Sequence, residues 1–437
     1  MQTNQADAFT PWRATKFYFP QVLQAFSQSF TYPLVGSIVV HGAGGVSGYT
    51  AFAQGLIVMF MVGALGCGLV TTGMVHGRDK EGFRQFRRLN FRVALVMLAL
   101  QLLVCAPPLD AVVFQKILGL PPDLARIARN TMLYGQVMQF AFFMRNVPFV
   151  ALFNAKNSAA ANVATLCRIA LTAAFSPLFR RVGWAGPEWG VVAMTIPVLL
   201  EMGLGYWMAR PYIRALRDDN PKPSSLLTQL AFTLPLSIGG ILLAMSPFMV
   251  GVFIGRAEEP VRMFAIHAVS IGLANPLGFA ALRMQSVVIA YPPRFKGDRA
   301  MLKYALIAGI ALGTCLLVCQ IPAVCNWYFS GVQNLPDADL PLVRRVVSLY
   351  LMLPLLQSMR GYFEGVAAWI RCPNAILAGQ ATNLCSLVLM LELVLRLHVP
   401  GYLMGVTSIL FAIFMTCVVV RLGIAGRCRG GRADVSR

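Results

Sequence analysis

The second half of this 437-residue chain repeats the first at a spacing of 215 residues. Pro20 falls on Pro235, Gly36 on Gly251, Arg129 on Arg344, and Met144-Arg145 on Met359-Arg360. With a two-residue insertion, NSAAANVAT (Asn157 to Thr165) then meets NAILAGQAT (Asn374 to Thr382). A series of matches on nearly one offset marks a tandem duplication. Such a chain folds as two like units.

Composition sets the solvent of those units. Apolar residues make up 57% and charged residues 12%, against about 25% charged in a soluble domain. Stretches long enough to cross about 30 Å of hydrocarbon fall at 17–41, 49–75, 92–113, 126–151, 159–178, 189–208, 226–254, 263–290, 303–326, 344–367, 375–397 and 401–421. The sequence therefore predicts an all-α polytopic membrane protein with 12 transmembrane helices, six in each lobe. Six is even, so the repeat is parallel, with its pseudo-two-fold axis along the membrane normal. The expected parts are a lobe at 1–210, a cytoplasmic linker at 211–225, a lobe at 226–421 and a basic tail at 422–437. No small-residue cleavage site follows the first apolar stretch, so it reads as a retained span.

Lysine and arginine orient the spans. With the N-terminus inside, and residues in the end turns of a span counted with the adjoining loop, 23 of the 37 fall on inner segments, ten on outer loops and four deep within spans. This bias places both termini in the cytoplasm, in a cytoplasmic (inner) or plasma membrane. The formal net charge of +20 follows from it and implies contact with anionic lipid head groups. It is weak evidence for nucleic acid, and none is expected as a partner.

Polar residues inside apolar spans mark the candidate site. Pro20 and Pro33 in the first span, and Pro235 and Pro247 in the seventh, break backbone hydrogen bonds and are the candidate hinges. Gln21, Gln24, Ser27 and Gln28 share one face of span one, and Gln54 lies on span two. Charges at depth cost about 2.5–3.5 kcal/mol each on insertion scales. Arg168 and Glu201 lie at matching depth on consecutive spans and read as an ion pair. Arg360 and Glu364, four apart, can neutralise each other along one helix. Arg145, the repeat mate of Arg360, has no acidic residue within four positions, and neither has Arg283. Two readings stand for these arginines: snorkelling to the inner head groups, or lining an inward-facing vestibule for a carboxylate or phosphate. The candidate substrate-binding set is Arg145, Arg360, Arg283, Gln28, Gln54, Gln139, Gln357 and Glu364.

Enzyme signatures are missing. There is no GxxxxGK[ST], the four histidines show no metal spacing, and no nucleophile stands near a histidine in a telling pattern. Neither a cofactor nor a metal is expected.

The two six-span lobes, the proline-bearing first helices and the segment MRGYFEGVAAWIRCPNAILAGQATN (Met359 to Asn383) resemble the multidrug/oligosaccharidyl-lipid/polysaccharide (MOP) exporter superfamily. Within it the layout is similar to the multidrug and toxin extrusion (MATE) branch. The stretch ALRMQSVVIAYPPRFKGD (Ala281 to Asp298) resembles the progressive ankylosis protein family, whose members are associated with pyrophosphate, ATP and citrate efflux. The resemblance implies a secondary-type exporter working by alternating access, with a small-molecule or lipid-linked anionic substrate and a possible coupling cation. Cation-coupled relatives place a carboxylate in the first span, where this chain has Gln21, Gln24 and Gln28. The alternatives are a flippase for a lipid-linked oligosaccharide or other lipid precursor and, in another class, an intramembrane lipid-modifying enzyme or scaffold.

Overall fold

The computed structural model describes residues 9–29, 31–218, 224–293, 299–333 and 335–430. Linker residues 219–223, residues 294–298 of the ankylosis-like stretch and tail residues 431–437 lie outside the described residues. Among those described there are helices and no strands. From the N-terminus these are α1 (Pro11–Gln28), α2 (Thr31–Val40), α3 (Gly45–Gly63), α4 (Leu69–His76), α5 (Lys80–Cys105), α6 (Pro122–Tyr134) and α7 (Gln136–Asn154). Next come α8 (Ser158–Val182), α9 (Pro187–Arg214), α10 (Leu226–Ala244), α11 (Ser246–Ile254), α12 (Pro260–Leu282) and α13 (Met284–Ala290). The chain continues through α14 (Ala300–Thr314), α15 (Pro322–Cys325), α16 (Leu340–Tyr350), α17 (Met352–Trp369), α18 (Pro373–Arg396) and α19 (Gly401–Gly430).

Nine of the described helical segments are long and apolar enough to cross a membrane. The other three expected spans, 17–41, 126–151 and 344–367, correspond to α1–α2, α6–α7 and α16–α17. The first contains Phe30, which lies outside the described residues, and the last two carry arginines within the apolar stretch. The basic stretch between the second and third expected spans is largely helix, since α5 begins at Lys80. Asp79 caps α5, its Oδ1 accepting from Gly82 N at 2.6 Å, and Glu81 sits in the positive first turn. Phe83, Phe86 and Leu89 supply the buried face.

The chain forms two compact units, Ser27–Ser237 and Met1–Phe26 with Ile238–Arg437. The division does not fall at the 211–225 linker, because the opening part of each half packs with the helices of the other. In the second unit Tyr18 donates to Ala280 O at 3.1 Å, and Phe17 meets Tyr291 edge-to-face at 5.9 Å. In the first unit Thr233 pairs with Thr72 at 2.7 Å, and Phe232 meets His76 edge-to-face at 4.9 Å. Phe17 and Phe232 are 215 apart, as are His76 and Tyr291.

The same offset governs the backbone. Ala155, Lys156 and Asn157 donate to Ala151, Phe153 and Leu152; Ile370, Arg371 and Cys372 donate to Val366, Ala368 and Ala367. Lys156 and Arg371 both take positive φ, 59° and 55°. The seven-residue π-helical turns Ala111–Ile117 and Asn326–Val332 match as well. The two-residue insertion expected at Asn157/Asn374 is therefore absent. The structural partner of Asn157 is Cys372, and the better letter match two positions on is coincidental.

Candidate functional site

In the first unit α7, α8 and α9 converge on one carboxylate. Gly205 lets α9 approach α7: a Cβ there would lie 3.3 Å from Phe149 and from Pro148. Four residues earlier on α9, Glu201 is wholly buried. Arg145 of α7 donates from Nη1 to its Oε2 at 2.6 Å, and Arg168 of α8 brings Nε within 3.2 Å of the same oxygen. Thr165 Oγ1 donates to the other oxygen, Oε1, at 2.5 Å.

The expected Arg168–Glu201 pair is present, but the reading of Arg145 as lacking a carboxylate is corrected. Its partner lies 56 positions away on another helix, beyond any local spacing rule. Two guanidiniums on one carboxylate leave the cluster one positive charge in excess. Arg145 also stacks on two rings, its Cζ 4.7 Å from the Phe142 centroid and 5.1 Å from that of Phe149. Its side chain stays 15% exposed, against none for Glu201, and its Nε is a buried donor with no hydrogen-bond partner. Sequence reasoning did not single out Thr165, Phe142 or Phe149. The rings were findable, since positions 142, 145 and 149 share one helical face.

In the second unit α17 carries the mate, Arg360. Its Nε donates to Glu364 Oε1 at 2.8 Å, one turn on, as expected. Both side chains are buried. Gly361 and Gly365 bring α17 against the backbone around Leu282 and Val288. Beside the pair, Asn383 of α18 donates to Thr416 of α19 at 3.0 Å. Arg360 and Glu364 thus neutralise each other locally.

The remaining candidates are scattered. Gln139 is buried in the first unit against Gly63, where a Cβ would strike its Nε2. Gln28 and Gln54 are half-buried in the same unit. In the second unit Gln357 is half-buried beside Gly278, its Oε1 enclosed without a hydrogen-bond partner. Arg283 is half-buried at the joint between α12 and α13. The candidate hinges Pro20 and Pro235 lie within α1 and α10, Pro33 within α2, and Pro247 in the first turn of α11.

No family model and no curated protein sequence matches the chain. Solved structures do match along its length. A MOP superfamily transporter from Pyrococcus furiosus, described as having a binding pocket of reverse polarity that suggests a different function, superposes with a TM-score of 0.70 at 14% identity, covering 98% of both chains. A multidrug resistance MATE family transporter in an outward-facing conformation superposes with a TM-score of 0.71 at 18% identity, again covering 98% of both. A variant of the Vibrio cholerae MATE transporter VcmN superposes with a TM-score of 0.68 at 14% identity, covering 97% of this chain and 98% of that one. At such identities the likeness is one of fold: the chain has the all-helical membrane fold of MATE transporters of the MOP superfamily.

Proposed function

We propose that this protein is a secondary-type membrane exporter that carries a small anionic or phosphate-bearing solute by alternating access. The observation that carries this reading is the Arg145–Glu201–Arg168 cluster, which keeps an excess positive charge within a span and an unused guanidinium donor on its partly exposed member. A structural ion pair needs one cation. A second guanidinium sharing the same carboxylate adds desolvation cost, and binding an anion offsets that cost. Planar guanidinium groups suit carboxylates and phosphates through paired hydrogen bonds, and the two rings hold the Arg145 group in place. The ankylosis-like stretch supports the same reading.

The test is transport into proteoliposomes with a panel of phosphate- and carboxylate-bearing solutes. Arg145→Gln is expected to cut uptake of the favoured anion at least about tenfold, equivalent to about 1.4 kcal/mol of lost binding, at equal amounts of folded protein. Arg145→Lys, which keeps the charge but not the fork, is expected to retain an intermediate rate. Unchanged uptake in Arg145→Gln would remove the arginine from the site. Translocation of a lipid-linked diphosphate, with no uptake of soluble anions, would favour the flippase.

A further inference from the structure

We propose that the second unit seats the head group of an anionic phospholipid in a cleft bordered by Arg299, Arg421 and Tyr362. The cleft holds about 530 Å³ and is built by three helices. Arg299, just ahead of α14, stands at one rim, with Leu302 and Leu306 of α14 beneath it. Met359, Tyr362 and Phe363 of α17 form the floor, and Arg421 of α19 stands at the other rim. Both arginines are exposed, and neither has an ion-pair partner among the described residues. Among the described residues no acidic side chain lines the cleft. It is a cationic mouth with an aromatic and aliphatic floor, open at a helix end.

The outward face of α14 extends this chemistry along the span. Leu306, Ile307 and Ile310 are 36%, 67% and 53% exposed, an apolar track leading away from Arg299. Phosphate at the arginines with acyl chains along α14 satisfies both parts of the surface, which a free phosphate would not. Two guanidiniums can each offer paired donors to the phosphodiester oxygens, and basic sites at the edge of a span attract anionic lipids.

The duplication gives an internal control. At the 215-residue offset the first unit keeps an arginine, Arg84, for Arg299 but pairs it with Glu81 at 3.1 Å, and has Tyr206 for Arg421, Val147 for Tyr362, and Arg87 and Phe91 for Leu302 and Leu306. There Tyr206 donates to Met144 O at 3.3 Å, linking α9 to α7, whereas Arg421 lines the cleft. The Arg299–Arg421 combination over this floor is thus not repeated at the mate positions of the first half, where a tyrosine replaces Arg421. Its floor residues alternate along α17 with Arg360 and Glu364, so an occupant braces the helix that holds the buried pair.

The experiment uses the purified, delipidated full chain in zwitterionic detergent, with phosphatidylglycerol or phosphatidylcholine added back. Two readings are taken: the thermal midpoint and the lipid retained in native mass spectra. Phosphatidylglycerol should raise the midpoint, as any ligand of the folded state does, and should be retained. R299Q/R421Q should lose both effects while keeping its midpoint in phosphatidylcholine. R210Q/R214Q removes two exposed arginines from a separate cleft of the first unit, lined also by Trp207 and Tyr212, and should keep both. If R299Q/R421Q does not fold, R299Q and R421Q singly should each lose part of the retained lipid. The proposal is overturned by full retention in the double variant or in both singles. It is also overturned by an equal loss in R210Q/R214Q, or by inorganic phosphate alone reproducing the shift.

Discussion

The two units hold an arginine at the same register and neutralise it in different ways. In the first, the counter-charge of Arg145 comes from another helix, and a third helix adds Arg168 to the same carboxylate. In the second, Arg360 finds Glu364 on its own helix. The offset of 215 shows how the exchange was made. Glu364 stands where the first unit has Phe149, Thr416 where it has Glu201, and Asn383 where it has Arg168. The contact between the last two positions survives as a neutral hydrogen bond between Asn383 and Thr416. Duplication preserved the place of a polar contact and let its charge change. One unit became an ionic tie across three helices with a spare positive charge, the other a closed pair and a separate neutral bond.

The largest effect expected from this difference is on Glu201. Glu201→Gln strands two guanidiniums within the first unit and should cost about 3–5 kcal/mol, whereas Thr416→Val at the matching place should cost about 1 kcal/mol. Denaturant or thermal unfolding in detergent checks this, and equal losses would erase the distinction. Arg360→Ala should cost about 3 kcal/mol by leaving Glu364 buried and alone. Arg360→Ala/Glu364→Ala should recover most of it, because that pair is self-contained. Arg145→Ala/Glu201→Ala should not recover in the same way, since Arg168 remains; recovery in both cycles would show that the third charge contributes nothing.

A smaller effect separates two packing solutions. Gly73 of α4 faces Val150 of α7 in the first unit, and in the second Val288 of α13 faces Gly365 of α17, with large and small exchanged between mates. Gly365→Val should overpack by about 1–3 kcal/mol. Adding Val288→Gly, which copies the first unit, should restore the unfolding midpoint. Failure to restore it would mean that the two interfaces are not interchangeable. The smallest change expected is in transport. Phe149→Glu gives the first unit the i,i+4 pair of the second and cancels its excess charge. Anion uptake should then fall about tenfold, or about 1.4 kcal/mol, and unchanged uptake would break the link between that charge and selectivity.

The repeat, the helical membrane fold and the self-contained pair were legible in the sequence because each rests on short spacing or on composition. Glu364 lies one turn from Arg360, and a helix places such residues together without further information. The partner of Arg145 was not legible, because which faces of α7 and α9 meet depends on Gly205 allowing close approach, and nothing local in the sequence encodes that. The packing exchange at Gly73/Val150 was hidden for a related reason: both members changed identity, so neither appears as a match. Letter matching also misled, since Asn157 and Asn374 agree as residues but occupy different places in their turns. Hydrogen bonds of the turn, not side-chain identity, keep the register.

The exchange of opening segments between the halves has a consequence for biosynthesis. Phe17 and Tyr18 leave the ribosome early, yet their partners Ala280 and Tyr291 follow more than 250 residues later. The first unit, in turn, is incomplete until Phe232 and Thr233 have been made. A nascent chain must therefore hold α1 in reserve until Ala280 and Tyr291 have been made, and neither half can finish folding from its own residues. Two separately translated fragments divided at the linker should each be degraded when expressed alone and survive when expressed together, because each holds the piece that completes the other.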